Sequence, residues 1–328
     1  MRPRLFALAG LLAACAAGGT LVRGQQPPPQ GGIGQTPSPL PLTQTIRERG
    51  SSVTPAFEGW YYDKDGSARL LIGYFNRNLK QEFDIPAGPN NRIEPGAPDM
   101  GQPTHFNTGR AWGVFTIPLP KDFGDKKLTW TIVANGFTNA ITLHTKSDYI
   151  VEPFEDPANK NTPPKLRFKE NGEAVTGPPK EIAEKYSAAV GAPFAITVWA
   201  SDEGPKINVP EQTGRGRRGR GGAGRGAGAG RGDAPAIPPE FQPAPPLAIT
   251  WSKFRGPGDV KFDNAKPKLD LDGGEKPAGT VSGKATVNVT FAAPGEYILR
   301  VEGNDSTGPG GGGFQCCWTS AHVGVTVK

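Results

Sequence analysis

Apolar and polar residues alternate with a period of two through much of the second half of the chain. Residues 285–291 (ATVNVTF), 296–302 (EYILRVE) and 321–327 (AHVGVTV) each put every other side chain on one apolar face, as half-buried strands do. Pro294-Gly295 supplies the turn between the first two. Residues 194–200 (FAITVWA) and 247–251 (LAITW) share the pattern, and Trp251 suits the space between two sheets. The first half reads similarly. FEGWYYD (57–63), a Lys64-Asp65-Gly66-Ser67 turn and ARLLIGYF (68–75) predict a hairpin. LTWTIVA (128–134), Asn135-Gly136 and the run ending at Leu143 predict another, because Asn-Gly suits the left-handed positions of a tight turn. AWGVFTIPL (111–119) predicts a further strand ended by proline. No stretch carries a sustained 3.6-residue apolar period. The pattern therefore predicts an all-β chain with two β-sandwich domains, over 53–173 and 177–328.

In the second domain, Val190-Gly191 is followed by FAITVWASDEG, then ITWSKFRGPGDVKF (249–262), VTFAAPGEYILRVEGND (289–305) and a final VGVTV. This order resembles PKD-type immunoglobulin-like domains, with W-S-K-x-x-G-P-G and A-P-G-x-Y-x-L-R-V as the specific segments. The resemblance covers about 177–328 and departs from the family once, where the loop after Asp202 is swollen by more than forty residues. That stretch, 203–246, is expected to be a disordered Arg/Gly/Pro-rich insertion. Loop-closure entropy grows with the logarithm of length, so the expansion costs on the order of 2 kcal/mol, which a sandwich can carry. The resemblance implies an extracellular spacer or adhesive module, and the fold alone specifies no chemistry. The N-terminal domain resembles no named family.

Arg2 and Arg4 precede an apolar run, 5–17, too short to span a bilayer, so 1–24 is expected to be an export signal. Leu12-Ala13-Ala14-Cys15 resembles a bacterial lipobox, whose cysteine becomes the lipidated first residue. Cleavage near Gly24, with Val22 at the minus-three position, is the competing reading, and the sequence leaves both open. Either way the expected location is the periplasm, the outer membrane by a lipid anchor, or the exterior. Residues 25–52, rich in Gln, Pro and Gly, are expected to form a disordered tether.

The net charge of +6 is local. Six arginines lie between 214 and 232 with no acid among them, and without them the chain is near neutral. This segment resembles an RGG box but lacks interleaved aromatics, so nucleic acid is not the expected partner. Anionic surfaces, lipid heads or polysaccharide, suit it better. Arg231-Gly232-Asp233 spells an integrin tripeptide, a chance match in a segment built of Arg and Gly.

No nucleophile elbow, metalloprotease, P-loop or dinucleotide motif occurs. His105, His144 and His322 lie far apart, without cysteine or acid at zinc spacing. A non-enzymatic structural or binding module, without metal or cofactor, is expected, with a cell-surface protein or polysaccharide as its partner. Two rival readings are a carbohydrate-binding or accessory protein of polysaccharide breakdown, and a cryptic hydrolase using paired carboxylates. The ligand candidates are Asn90, Asn91, Asp99 and His105 in the long segment 85–106, which is read as a structureless loop, with Trp60 and Tyr62 on the neighbouring hairpin. Alternate aromatics of one strand must face the core, so at most half of Trp60, Tyr61 and Tyr62 can form a platform.

Cys316-Cys317 leaves four readings open. Adjacent α-carbons lie about 3.8 Å apart across a trans peptide, below the usual disulfide range, yet these are the only thiols once Cys15 is removed or lipidated. A vicinal disulfide is the leading reading. Free or intermolecularly linked thiols and a copper site with His322 are the others.

Overall fold

The computed structural model describes residues 46–158, 160–206, 247–273, 279–305 and 316–328. The export signal, Cys15 with its lipidation, most of the tether and the arginine-glycine tract lie outside the described residues. All described residues fall within one unit, Gln44–Lys328.

The first half forms eight strands: β1 (Val53–Tyr62), β2 (Ala68–Asn76), β3 (Phe83–Asp84), β4 (Asn91–Glu94), β5 (His105–Phe106), β6 (Gly109–Pro118), β7 (Leu128–Ala134) and β8 (Phe137–Leu143). They pair antiparallel in the orders β1-β2-β6, β4-β7-β8 and β3-β5. The β7–β8 turn has Asn135 and Gly136 at φ 49° and 76°, the left-handed pair that Asn-Gly tolerates. Trp130 sits at the centre, its ring 5.1 Å from Phe115 and 6.4 Å from Phe106.

The segment 85–106 is not the structureless loop expected. It supplies β4 and β5 and is stitched by buried amides. Asn91 Nδ2 donates to the Ile85 and Pro103 carbonyls (3.0 and 2.7 Å), and its Oδ1 accepts from Trp130 Nε1 (3.0 Å). Gln102, also buried, donates to the Asn91 carbonyl (3.3 Å) and accepts from the Met100 amide (2.7 Å). Side-chain amides here satisfy backbone groups that a ladder would otherwise pair, and hydrophobic periodicity carries no trace of that. The folded body also starts earlier than 53. Ser51 and Ser52 are buried, and the Arg47 amide donates to the Arg77 carbonyl (3.1 Å).

The second half adds β9 (Lys165–Arg167), β10 (Ile182–Ala188), β11 (Phe194–Asp202), β12 (Leu247–Arg255), β13 (Val260–Phe262), β14 (Asp270–Leu271), β15 (Val281–Phe291), β16 (Gly295–Asp305) and β17 (Trp318–Val327). One sheet runs β10-β17-β16-β12 and the other β13-β15-β11-β9, with β14 beside β15. Alternate side chains of both sheets meet in one core that includes Trp251, Val287, Phe291, Tyr297 and Val323. The result is an immunoglobulin-like sandwich whose β10 lies parallel to the final strand. Because β9 pairs with β11, this sandwich takes in residues 165–167, which the alternation alone would place in the first domain. Three residues are too few to carry a period.

The two quoted segments interlock. Tyr297 of A-P-G-x-Y donates to the Ala293 carbonyl (2.8 Å) and accepts from the Gly258 amide (3.1 Å). Its ring fills the space beside Gly256, at φ 146°, where a Cβ would come within 2.1 Å of it.

The halves are not packed separately. Phe254 on β12 is buried in the first half's core with Trp130 and Val114, and Ile298 packs against the same cluster. Trp318 joins Tyr61, Leu71 and Val151 in a third cluster. Its indole lies on Gly113, where a Cβ would meet it at 2.0 Å, so this position admits no larger residue.

Candidate functional site at the joint

A group of ionisable side chains lies where the halves meet. The β3–β5 register sets Asp84 opposite His105, and Asp84 Oδ1 lies 3.0 Å from His105 Nδ1. The other ring nitrogen faces Glu82 Oε2 at 3.4 Å. From the second half comes β12. Its register shifts between Lys253 and Arg255, which turns two successive residues, Lys253 and Phe254, into the joint. Lys253 Nζ donates to Asp84 Oδ1 (2.8 Å).

Backbone groups join in. The Thr104 amide donates to the Phe254 carbonyl (3.2 Å), and Asn107 Nδ2 to the Lys253 carbonyl (3.1 Å). Arg255 forms a two-toothed pair with both Asp99 oxygens (2.8 Å each) and donates from Nε to the Gln102 carbonyl (2.9 Å). Further along the joint, Arg300 donates to the Trp112 carbonyl (2.7 Å) and Ser320 Oγ (2.8 Å) and pairs with Glu302. His322 Nε2 lies 3.0 Å from the Val114 carbonyl, its ring 4.1 Å from Phe254.

A cavity of about 330 Å³ opens beside this network, lined by Glu82, His105, Asn107, Ser252, Lys253 and Asp259 among others. The His105 hydrogen bond holds the Glu82 carboxyl below its ordinary range. Burial pushes Asp84 up, but its bonds to Lys253 and His105 outweigh that and lower it on balance. Asp99 is held low chiefly by Arg255. Both nitrogens of His105 have a carboxylate partner, so the ring is fixed in place. The arrangement clamps two bodies.

Of the residues singled out from the sequence, the joint brings together His105, which is bonded to Asp84 and Glu82, and Asp99, which holds Arg255 of β12. Asn91 and Trp60 correct the expectation: both are buried, Asn91 as the internal staple above and Trp60 with its Nε1 donating to the Lys146 carbonyl (2.8 Å). Neither can face a ligand. Tyr61 is buried too, in a different cluster from Trp60, so β1 is covered on both faces here, and only Tyr62, its ring beside Trp60, is exposed at 60%. Asn90 is exposed and lines a second cavity of about 550 Å³ with Gln81, Phe83 and Asn135. Cys316 and Cys317 are joined in a disulfide and buried, Cys316 Sγ 3.8 Å from the Asn161 carbonyl. With both sulfurs bonded and His322 turned to Val114, the copper reading has no ligand set.

Sequence reasoning missed Asp84, Glu82, Lys253, Arg255 and Arg300. One signal was there. In LAITWSKF, Lys253 stands in the inward phase set by Leu247, Ile249 and Trp251, and a lysine on a buried face demands an acid partner.

No known protein family matches this sequence, and no curated protein does. Among solved structures, the chain is similar to the S-layer protein rSbsC(31-844), with 11% identity and a TM-score of 0.21 over 87% of this chain, spanning 28% of that one. It is similar to S-layer protein SbsC domains 4 and 5, with 11% identity and a TM-score of 0.19 over 84% of this chain and 98% of that one. A third is the D00-D0 domain of Intimin, with 12% identity and a TM-score of 0.20 over 84% and 100%. Overlaps this loose leave the fold resting on the sheets and cores themselves.

Proposed function

We propose that this chain is an exported, non-catalytic structural or adhesive module of the cell envelope or secreted fraction, its C-terminal half of the PKD type. The observation that carries the reading is the joint. Acids from one half are engaged by cations of the other, Asp84 by Lys253 and Asp99 by Arg255, and Phe254 enters the first half's core, so the charged groups fasten two bodies into one block. A block of this kind suits a spacer or an anchor for other surface components. The basic leader followed by a Pro/Gln/Gly stretch supports export, and the tether would hold the block away from its attachment point.

Produced in a bacterium, the full chain is expected to appear outside the cytoplasm, shortened by removal of its leader. A membrane-impermeant amine reagent should label it on intact cells or in the medium. Recovery from the cytoplasm at full length would overturn the proposal.

A further inference from the structure

A group of rings remains at the surface on the side of β1. Trp60 bridges to Ile150, and the Val151 amide donates to the Trp60 carbonyl (2.9 Å), so residues 149–151 run beside that strand. This places Tyr149 in a stack with Phe57, centroids 5.6 Å apart and planes at 23°. His144 meets both edge-on, 4.9 Å from Phe57 and 4.6 Å from Tyr149. Trp60 lies beneath, 5.2 Å from the ring of Tyr62. Tyr149 is 46% exposed, and the single 3-10 turn that carries it, Ser147–Tyr149, buries no residue.

The rim of this group is polar and of mixed charge: Lys121, Lys126, Lys127 and Lys146 lie along it with Asp122, Asp125 and Asp148, and Lys126 is paired with Asp122. Lys146, Ser147 and Asp148 precede Tyr149, and Ser147 Oγ lies 3.4 Å from Asp148. Thr145 Oγ1 donates to the Gly124 carbonyl (2.8 Å), which brings the lysine-bearing loop 120–127 alongside. His144 titrates below its ordinary range, chiefly through burial, with the charges of Lys146 and Lys127 adding to it.

An exposed ring, Tyr149, stacked on the half-buried Phe57 above a polar rim differs from a core and from a plain apolar patch. A pyranose ring has the matching chemistry, an apolar C–H face for the aromatic and hydroxyls for the rim. Lys127 and Lys146, the two cations whose charges reach His144, favour a sugar that carries a carboxylate. We propose that the surface formed by Phe57, His144 and Tyr149, with Lys127 and Lys146 at its edge, binds an acidic polysaccharide, one uronic acid ring stacking on Tyr149 with its carboxylate against the lysines. This surface is separate from the joint and stands whether or not the joint acts as proposed.

Calorimetric titration of the exported chain with oligogalacturonate tests it. Wild type and Tyr149→Phe should bind alike, and Tyr149→Ala should bind about tenfold more weakly, the size of one aromatic contact. Lys146→Glu should also weaken binding, and a neutral xylo-oligosaccharide should bind less tightly than the acidic one. The Tyr149→Ala change removes no charge, so binding carried by the arginine-glycine tract would survive it. An unchanged affinity in a folded Tyr149→Ala, or no binding at all, overturns the proposal, as does preference for the neutral sugar. If Tyr149→Ala unfolds, Lys146→Glu decides, because Lys146 is exposed.

Discussion

Phe254→Ala is expected to destabilise the protein by about 3–5 kcal/mol in urea unfolding at neutral pH, and to do so for both halves in the same transition. Phe254 belongs covalently to the sheet of the second half but is buried in the core of the first, 3% exposed, among Trp130, Val114 and Ile117. Truncation removes its transfer free energy and opens a cavity lined by residues of both halves. The His322 ring loses its neighbour at 4.1 Å as well. Probes confined to one half, such as Trp130 fluorescence isolated by replacing the other tryptophans, should report the same midpoint shift as backbone circular dichroism. A cost below about 1 kcal/mol, or a shift seen by one probe only, would show that the halves do not share this core.

The second large effect is in acid. Burial drives the His322 imidazole down to about 3, helped by the Arg300 charge, against an ordinary value of 6.5. The native state therefore keeps this ring neutral while the unfolded chain takes up a proton below pH 6.5. Stability is present above that value and is lost as pH falls toward 3, at about 1.4 kcal/mol per pH unit. His322→Gln cannot titrate and keeps an N–H for the Val114 carbonyl. It should match wild type within about 1 kcal/mol at pH 8 and exceed it by about 2–3 kcal/mol at pH 4.5. Asp202 works in the other direction. Burial, then the neighbouring Asp305, raises its carboxyl from 3.8 to about 6, so its contribution is lost as pH rises through that window. It is common to both proteins and cancels in the difference. Parallel stability profiles for wild type and His322→Gln between pH 8 and 4.5 would contradict the buried neutral histidine.

How much of this was legible in the sequence depended on how local the cause was. The β7–β8 hairpin announces itself because Asn135-Gly136 fits its turn without help from the rest of the fold. β15 and β16 are legible because one face of each is core along its whole length. β10 is not. Its residues are half-buried or exposed along the strand, and its parallel partner, β17, lies at the far end of the chain. β4 is hidden because what secures it is the amide of Asn91, which reads in sequence as a loop residue or a ligand. The joint is the extreme case. Lys253 and Asp84 are 169 residues apart, and no periodicity reaches across such a separation. Only the inward phase of Lys253 along β12 betrays that a partner must exist.

Differential scanning calorimetry of the exported chain at pH 7 measures whether the two halves form one body. A single endotherm is predicted, with calorimetric and van't Hoff enthalpies equal within error, because Phe254, Trp318 and the Lys253–Asp84–His105 network cannot stay in place when either half unfolds. Two separable endotherms, each with its own van't Hoff enthalpy, would contradict it and leave two independent sandwiches on a flexible joint.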